Sequence, residues 1–157
     1  MNKIPMTSNG YDKLQEELKK LVNEARPNII AAISEARSHG DLSENAEYQY
    51  AKEHQSLIEG KILELESMIA QAEIIDISQL SGNEIKFGAT VKIEDDDNGE
   101  QSIYQIVGEY ESDIKNKKLS INSPLARGLI GKSKNDIVEI NSPKGTKTYT
   151  ILSFKFK

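Results

Sequence analysis

Apolar residues recur every three or four positions along the first half of the chain. This spacing places the apolar side chains of each series on one face of a helix. The first series is Leu14, Leu18, Leu21, Ala25, Ile29, Ile33 and Ala36, and the second is Ala51, Ile58, Ile62, Leu65, Ile69 and Ala72. The pattern predicts two long amphipathic helices, the first beginning near Thr7 or Ser8.

A short polar segment separates the two series. Gly40 is typical of a helix stop, and Asp41 or Ser43 can cap a new helix. Helices joined by so short a connection fold back antiparallel. At about 1.5 Å per residue, the first helix runs roughly 45 Å to this break. We therefore predict an antiparallel α-helical coiled-coil hairpin over residues 1–76.

Pro27 conflicts with a continuous first helix, because an internal proline removes a backbone donor and costs about 3 kcal/mol. One interpretation splits the helix at Pro27, and the other accepts a kink. The apolar series resumes in step at Ile29, which favours the kink.

The apolar period changes in the second half of the chain. Residues 77–83 are typical of a linker, and residues 84–157 contain five strand-like runs. These runs are Ala89–Ile93, Ser102–Val107, Leu119–Ile121, Ile137–Ile140 and Thr148–Phe156. Ser123 as an N-cap, Pro124 at the first helical position and Gly131 past the end predict one short helix. The fold class is therefore α+β, with a compact, mostly antiparallel sheet domain after the hairpin.

Composition and charge exclude several classes of protein. The 157 residues include no Cys, which rules out a disulfide framework, a thiolate zinc site and a Cys nucleophile. No apolar run approaches the roughly 18 residues of a membrane span, and the N-terminus has no signal-peptide core, so we expect a cytoplasmic protein. Residues 1–75 hold 8 basic and 13 acidic side chains, which argues against a binder of bare duplex DNA.

Two other features invite a metal-site interpretation. When Gly99 is aligned with the glycine of a calcium loop, Gln105 stands where a bidentate Glu is required. The acidic segment around Asn98-Gly99 is therefore interpreted as a solvated hairpin turn. His39 and His54 have no His or Cys at ligand spacing and are interpreted as surface residues. No phosphate-binding loop, dinucleotide motif or hydrolase elbow is present.

The two carboxylates at the break, Asp41 and Glu44, allow two interpretations. They fit a capping box, and acidic side chains also suit a helix N-terminus. Alternatively, they form half of a magnesium site at the end of a long arm, because Mg²⁺ is commonly held by one or two carboxylates plus phosphates. Such a site is completed by phosphate and by metal ligands of another protein.

The segment Gly40–Tyr48 resembles the coiled-coil tip signature of the bacterial Gre family of transcript cleavage factors. Four further segments are similar to the family: Ile4–Thr7, Arg26–Ile33, Phe87–Val91 and Asn122–Lys132. The likeness covers essentially the whole chain, and the family tolerates a proline at the position of Pro27.

This resemblance implies that the hairpin enters the secondary channel of RNA polymerase. It also implies that an FKBP-like C-terminal domain docks on the channel rim. After backtracking, the 3′ end of the nascent RNA is extruded into this channel. In the family, tip acids help the polymerase bind a second Mg²⁺ and orient the attacking water, so that the polymerase cuts its own transcript. We therefore expect a monomeric accessory factor that is not itself an enzyme.

Carried over by matching position, the metal-assisting acids are Asp41 and Glu44, and their tip neighbours are Ser43 and Asn45. The resemblance also implies a surface that docks on the polymerase, formed by Ser123, Pro124 and Arg127.

Arg37 and Lys52 lie near the tip on opposite helices. They are candidates for contact with the phosphates of extruded RNA, although ordinary solvated helix faces also carry such cations. Two other functions stay open. One is a channel-binding modulator or inhibitor without cleavage activity, and the other is a coiled-coil adaptor in which Asp41 and Glu44 are only caps.

Overall fold

A computed structural model describes residues 3–40 and 46–156. The first half contains β1 (Ile4–Thr7), α1 (Ser8–Lys20), a π-helical turn (Leu21–Ala25), α2 (Arg26–Arg37), α3 (Ala46–Gln71) and β2 (Ala72–Ile75). The second half contains β3 (Ala89–Asp95), β4 (Gln101–Val107), β5 (Lys118–Ser120), α4 (Pro124–Leu129), β6 (Ile137–Ser142) and β7 (Gly145–Phe156). Short 3₁₀ turns occur at Ile77–Gln79, Glu109–Glu111 and Ile114–Asn116. The predicted α+β class is confirmed.

The described residues form two compact units. One comprises residues 11–40 and 46–72, most of which are helical, and the other comprises residues 3–10 together with 73–156. Thus the first strand belongs with the sheet unit, although it precedes the helices in sequence.

Helices α2 and α3 pack antiparallel. Arg26, at the start of α2, pairs with Glu59, whereas His39, just past its end, pairs with Glu47. Residue numbers therefore increase along α2 in the direction in which they decrease along α3, so the two helices are antiparallel. Their buried interface contains the predicted apolar residues Ile29, Ile33, Ala51, Ile58 and Ile62.

The chain remains helical through Pro27. The residues before it, including Lys20 and Ala25, keep right-handed helical backbone angles, and the N–H of Arg26 donates to the carbonyl of Leu21, five residues earlier. This wider π turn relieves the crowding that a proline ring creates in a regular α-helix. The interpretation that splits the helix at Pro27 is therefore wrong, and the helix passes through this position as the kink interpretation requires.

A bidentate ion pair joins the two helices. The Nε and Nη2 atoms of Arg26 each donate a hydrogen bond of 2.8 Å to the carboxylate of Glu59. This hydrogen bond lowers the pKa of Glu59, and partial burial opposes the shift. The side chains are 36% and 42% exposed, so the contribution of the pair to stability is modest.

Glu59→Gln is expected to weaken the acid sensitivity of the hairpin. Because the pKa of Glu59 is lower in the folded chain, the pair stabilises the fold above the ordinary value of 4.5 and is lost as pH falls through the folded-state pKa. Urea unfolding at pH 7 and pH 3 measures this loss. Wild type is expected to lose more free energy of unfolding than Glu59→Gln, and the exposed control Glu53→Gln is expected to behave like wild type. Equal losses in all three proteins would contradict the prediction.

The second unit is built on a five-stranded sheet of order β5-β4-β3-β7-β6. Its pairs are antiparallel, as predicted, except that β4 and β5 run parallel. The core includes Val91, Ile106, Leu129 and Ile151. Helix α4 approaches β6 closely at Gly128, where a Cβ would lie 2.6 Å from Cδ1 of Ile140.

A small polar network in this unit supports the start of α1. The Oγ1 of Thr7 accepts a hydrogen bond of 3.0 Å from the N–H of Gly10, which caps the helix at the predicted place. The carboxylate of Glu111 accepts hydrogen bonds from both the N–H and the hydroxyl of Thr7. It also accepts one from the N–H of Gly108. A Cβ at Gly10 would collide with the side chain of Glu111, so a larger residue there would displace this carboxylate from Thr7.

Candidate functional site at the end of the hairpin

Helix α2 ends immediately before the segment that carries the predicted tip acids. The hydroxyl of Ser38 donates to the carbonyl of Glu35 at 2.6 Å, and the N–H of His39 donates to the carbonyl of Ala36 at 3.2 Å. Gly40 has a φ of +109°, a left-handed conformation that glycine adopts without strain. The predicted helix stop at Gly40 is therefore confirmed.

The predicted acids and their neighbours lie outside the described residues. These are Asp41, Ser43, Glu44 and Asn45. The described chain resumes at Ala46 with the first turn of α3. The assignment of Asp41 and Glu44 as metal-assisting acids therefore stays a prediction. In sequence, these acids lie between two packed antiparallel helices.

The two candidate RNA-binding cations are exposed near this end of the hairpin. Arg37 occupies the last turn of α2, and Lys52 lies in the second turn of α3, where its Nζ is 3.3 Å from Oε1 of Gln55. Within residues 3–40 and 46–156, neither cation forms an ion pair. Both are available to phosphate groups, and their role in RNA binding stays a prediction.

His39 forms a contact across the hairpin that the sequence did not predict. Its Nδ1 lies 3.2 Å from Oε2 of Glu47, and the two side chains are 50% and 72% exposed. The exposure agrees with the interpretation of His39 as a surface residue.

An apolar groove lies between α2 and α3 at the same end of the hairpin. Its volume is about 600 Å³, and it is lined by Ile29, Ala32, Glu35, Ala36, Ala46, Glu47, Tyr50, Ala51 and His54. The Tyr50 and His54 rings are 6.2 Å apart between centroids and inclined by 47°. The sequence analysis did not predict this groove. The one sign of it in the sequence is Tyr50, an aromatic residue that lies outside the apolar series.

The predicted docking residues lie around α4 in the sheet unit. Ser123 caps this helix, accepting a 3.2 Å hydrogen bond from the N–H of Ala126, and Pro124 occupies its first turn. Arg127 is exposed in the last turn. The predicted short helix is confirmed, while the docking role of these residues stays a prediction.

The acidic turn between β3 and β4 is a hairpin, as predicted. Asp95 departs from the expected solvated turn, because it is only 7% exposed. Its carboxylate accepts hydrogen bonds of 2.9 Å from the N–H of Asp97 and 3.2 Å from Nζ of Lys147. These contacts, the backbone N–H of Asp97 foremost, hold the pKa of Asp95 below its usual range.

The described residues contain neither a cluster of metal-ligating side chains nor a helix that could span a membrane. Across residues 3–40 and 46–156, no three or more His, Asp or Glu side chains gather where they could hold a metal ion. In the same part of the chain, no helix is both long and apolar enough to span a bilayer.

Two family models match successive parts of the chain. The model described as "Transcription elongation factor, N-terminal" matches residues 4–74. The model described as "Transcription elongation factor, GreA/GreB, C-term" matches residues 80–156. Together they cover nearly all the described residues.

Full-length relatives carry a consistent name. A "Transcription elongation factor GreA" of Brucella anthropi is 57% identical over 156 residues, which cover 99% of both chains. A protein of the same name from Brucella canis is 56% identical with the same coverage. Among solved structures, GreA factor homolog 1 (Gfh1) of Thermus thermophilus is 25% identical over 98% of this chain and 99% of that chain, with a TM-score of 0.45.

Proposed function

Because the chain belongs to the GreA/GreB family of transcription elongation factors, we propose that it binds RNA polymerase and stimulates cleavage of backtracked nascent RNA. Cleavage leaves a new RNA 3′ end at the polymerase catalytic centre and so rescues an arrested complex. The observation that carries this proposal is the 57% identity to a relative named Transcription elongation factor GreA, over 99% of both chains.

In this proposal the helical hairpin enters the secondary channel of the polymerase. Its α3 helix has 26 residues, which corresponds to a length of about 39 Å. Packing against α2 through Ile29, Ile33 and Ile58 stiffens it. The sheet unit docks at the channel rim through the surface formed by Ser123, Pro124 and Arg127.

Asp41 and Glu44 contribute the chemistry of the tip. Carboxylate oxygens are ligands that Mg²⁺ prefers, so the donor set suits this ion, but two carboxylates do not fill its six positions. The polymerase and the RNA phosphate supply the remaining ligands. A Mg²⁺ ion held by Asp41 and Glu44 together with the polymerase would supply activation of the water that attacks the phosphodiester. Ser43 and Asn45 orient the two acids, and the factor acts in the cytoplasm as a monomeric accessory to the polymerase.

Arg37 and Lys52 have a separate role in this proposal. Both cations are exposed near the tip, so they can contact phosphates of the extruded RNA. Lys52 acts as a point charge, whereas the planar guanidinium of Arg37 can bind a phosphate through two hydrogen bonds.

The test uses purified elongation complexes that have been backtracked, with the RNA labelled at its 5′ end. With Mg²⁺ present, adding the protein is expected to accelerate the shortening of the RNA over the rate of polymerase alone. Complexes with the RNA 3′ end in the active site provide the control and are expected to remain uncleaved. Binding without acceleration would contradict the proposal and would identify a channel-binding modulator instead.

A further inference from the structure

We propose that Asn98 is a site of spontaneous deamidation in the folded protein, an inference that does not depend on the proposed function. The chain contains two Asn-Gly dipeptides, Asn9-Gly10 and Asn98-Gly99. Asparagine is a thermolabile residue, and a following glycine has no Cβ to hinder attack on its side chain. The structure places the two dipeptides in different surroundings, so we expect Asn98 to react and Asn9 to be protected while the chain is folded.

The reaction needs water as its single co-reactant. The backbone nitrogen of the glycine loses its proton and forms a bond to Cγ of the asparagine, while the Cγ–Nδ2 bond breaks and ammonia leaves. Water then opens the cyclic imide at either of its carbonyl carbons. The product is aspartate or isoaspartate, and in isoaspartate the main chain runs through the side-chain carboxyl carbon.

Asn98 and Gly99 lie in the exposed turn between β3 and β4. Gly99 has a φ of +73°, and a Cβ built on it would meet no atom of the described residues within 4 Å. The N–H of Gly99 donates to the carbonyl of Asp95 at 2.8 Å. The Oδ1 of Asn98 accepts from the N–H of Glu100, also at 2.8 Å. Because this turn is exposed, water can replace both hydrogen bonds in a local opening that leaves the sheet intact.

Asn9 and Gly10 are held in the first turn of α1. Gly10 is buried, and its N–H donates to Oγ1 of Thr7 at 3.0 Å. The hydroxyl of Thr7 donates in turn to Glu111, whose side chain fills the space where a Cβ of Gly10 would lie. The nitrogen of Gly10 is therefore released only when the start of α1 and this network open together. Such an opening costs far more free energy than the opening of an exposed turn.

Deamidation changes both the charge and the shape of the turn. Either product adds a carboxylate next to Asp97 and two positions before Glu100. Isoaspartate also lengthens the main chain by one carbon, and the length of a turn fixes the register of its hairpin. The contacts of Asp95 with the N–H of Asp97 and with Nζ of Lys147 are therefore expected to weaken in the modified protein.

The experiment incubates the full-length protein at mildly alkaline pH, either folded or in guanidinium chloride. Peptide mapping by mass spectrometry follows the conversion of each asparagine. The denatured chain is expected to react at similar rates at Asn9 and Asn98. In the folded chain, Asn98 is expected to react about tenfold more slowly than in the denatured chain, because two exposed hydrogen bonds must open. Asn9 is expected to react at least about a hundredfold more slowly.

Asp95→Ala tests whether the turn controls the rate at Asn98. This variant removes the carboxylate that accepts from Asp97 and Lys147, so Asn98 is expected to approach its denatured rate while Asn9 stays protected. Asn9 thus reports any wider unfolding within the same molecule. If both sites accelerate, Lys147→Ala is the second variant, because it removes only the 56% exposed partner of Asp95 and is expected to accelerate Asn98 alone.

Equal rates at Asn9 and Asn98 in the folded wild type would overturn the inference, whether both sites react quickly or both are protected. A rate at Asn98 that is the same in the folded and denatured wild type would also overturn it, since the hydrogen bonds of the turn would then offer no restraint.

Discussion

Asp41→Asn and Glu44→Gln are each expected to abolish stimulated RNA cleavage while leaving docking on the polymerase nearly unchanged. An amide has a similar shape to a carboxylate but lacks the negative charge that attracts Mg²⁺. Loss of a group that merely supports a metal ligand typically costs about 10–100-fold, so loss of a direct ligand is expected to cost about a hundredfold or more. The measurements are the cleavage rate in backtracked complexes and the affinity for polymerase.

The controls separate metal binding from helix capping. Asn caps a helix about as well as Asp, so Asp41→Asn is expected to keep the helical circular dichroism of wild type. Glu53→Gln removes an exposed carboxylate of α3 that is not a tip acid, and it is expected to stimulate cleavage like wild type. If Asp41→Asn and Glu44→Gln both cleave like wild type, the tip-acid mechanism is wrong. Lost helicity in either variant would instead support the capping interpretation.

The hairpin could be predicted from the sequence because its determinants are local. Spacing of three or four residues places Ile29, Ile33, Ile58 and Ile62 on single helix faces, and all four are buried. The phase of the same series also favoured a helix that is not split at Pro27. Neither inference required knowledge of a distant part of the chain.

Features that depend on distant partners were not predicted. Glu111 accepts hydrogen bonds from Thr7 across 104 positions of sequence, and no local pattern indicates that contact. The parallel pairing of β4 with β5 depends on the path of the 3₁₀ turns between them. At the candidate site, the sequence identified exposed cations but not the groove, because the groove results from small residues on two helices facing one another.

Ile62→Ala is expected to destabilise the helical unit by about 3 kcal/mol, because truncation of a buried isoleucine leaves a cavity that its neighbours fill only in part. Ile62 is 1% exposed and belongs to the core between α2 and α3. The adjacent Leu63 is 68% exposed, so Leu63→Ala is a matched control with an expected change within about 0.5 kcal/mol. Urea unfolding followed by helical circular dichroism measures both.

The same pair of variants tests whether the hairpin must be rigid to act. If packing of α3 on α2 holds the tip acids in place, RNA cleavage stimulated by the Ile62→Ala variant is expected to fall steeply near the lowered unfolding temperature of that variant. Stimulation by Leu63→Ala is expected to follow wild type at every temperature. Asp41→Asn, by contrast, is expected to be inactive at every temperature despite normal stability. A stability of Ile62→Ala equal to that of Leu63→Ala would show that this core does not hold the hairpin together.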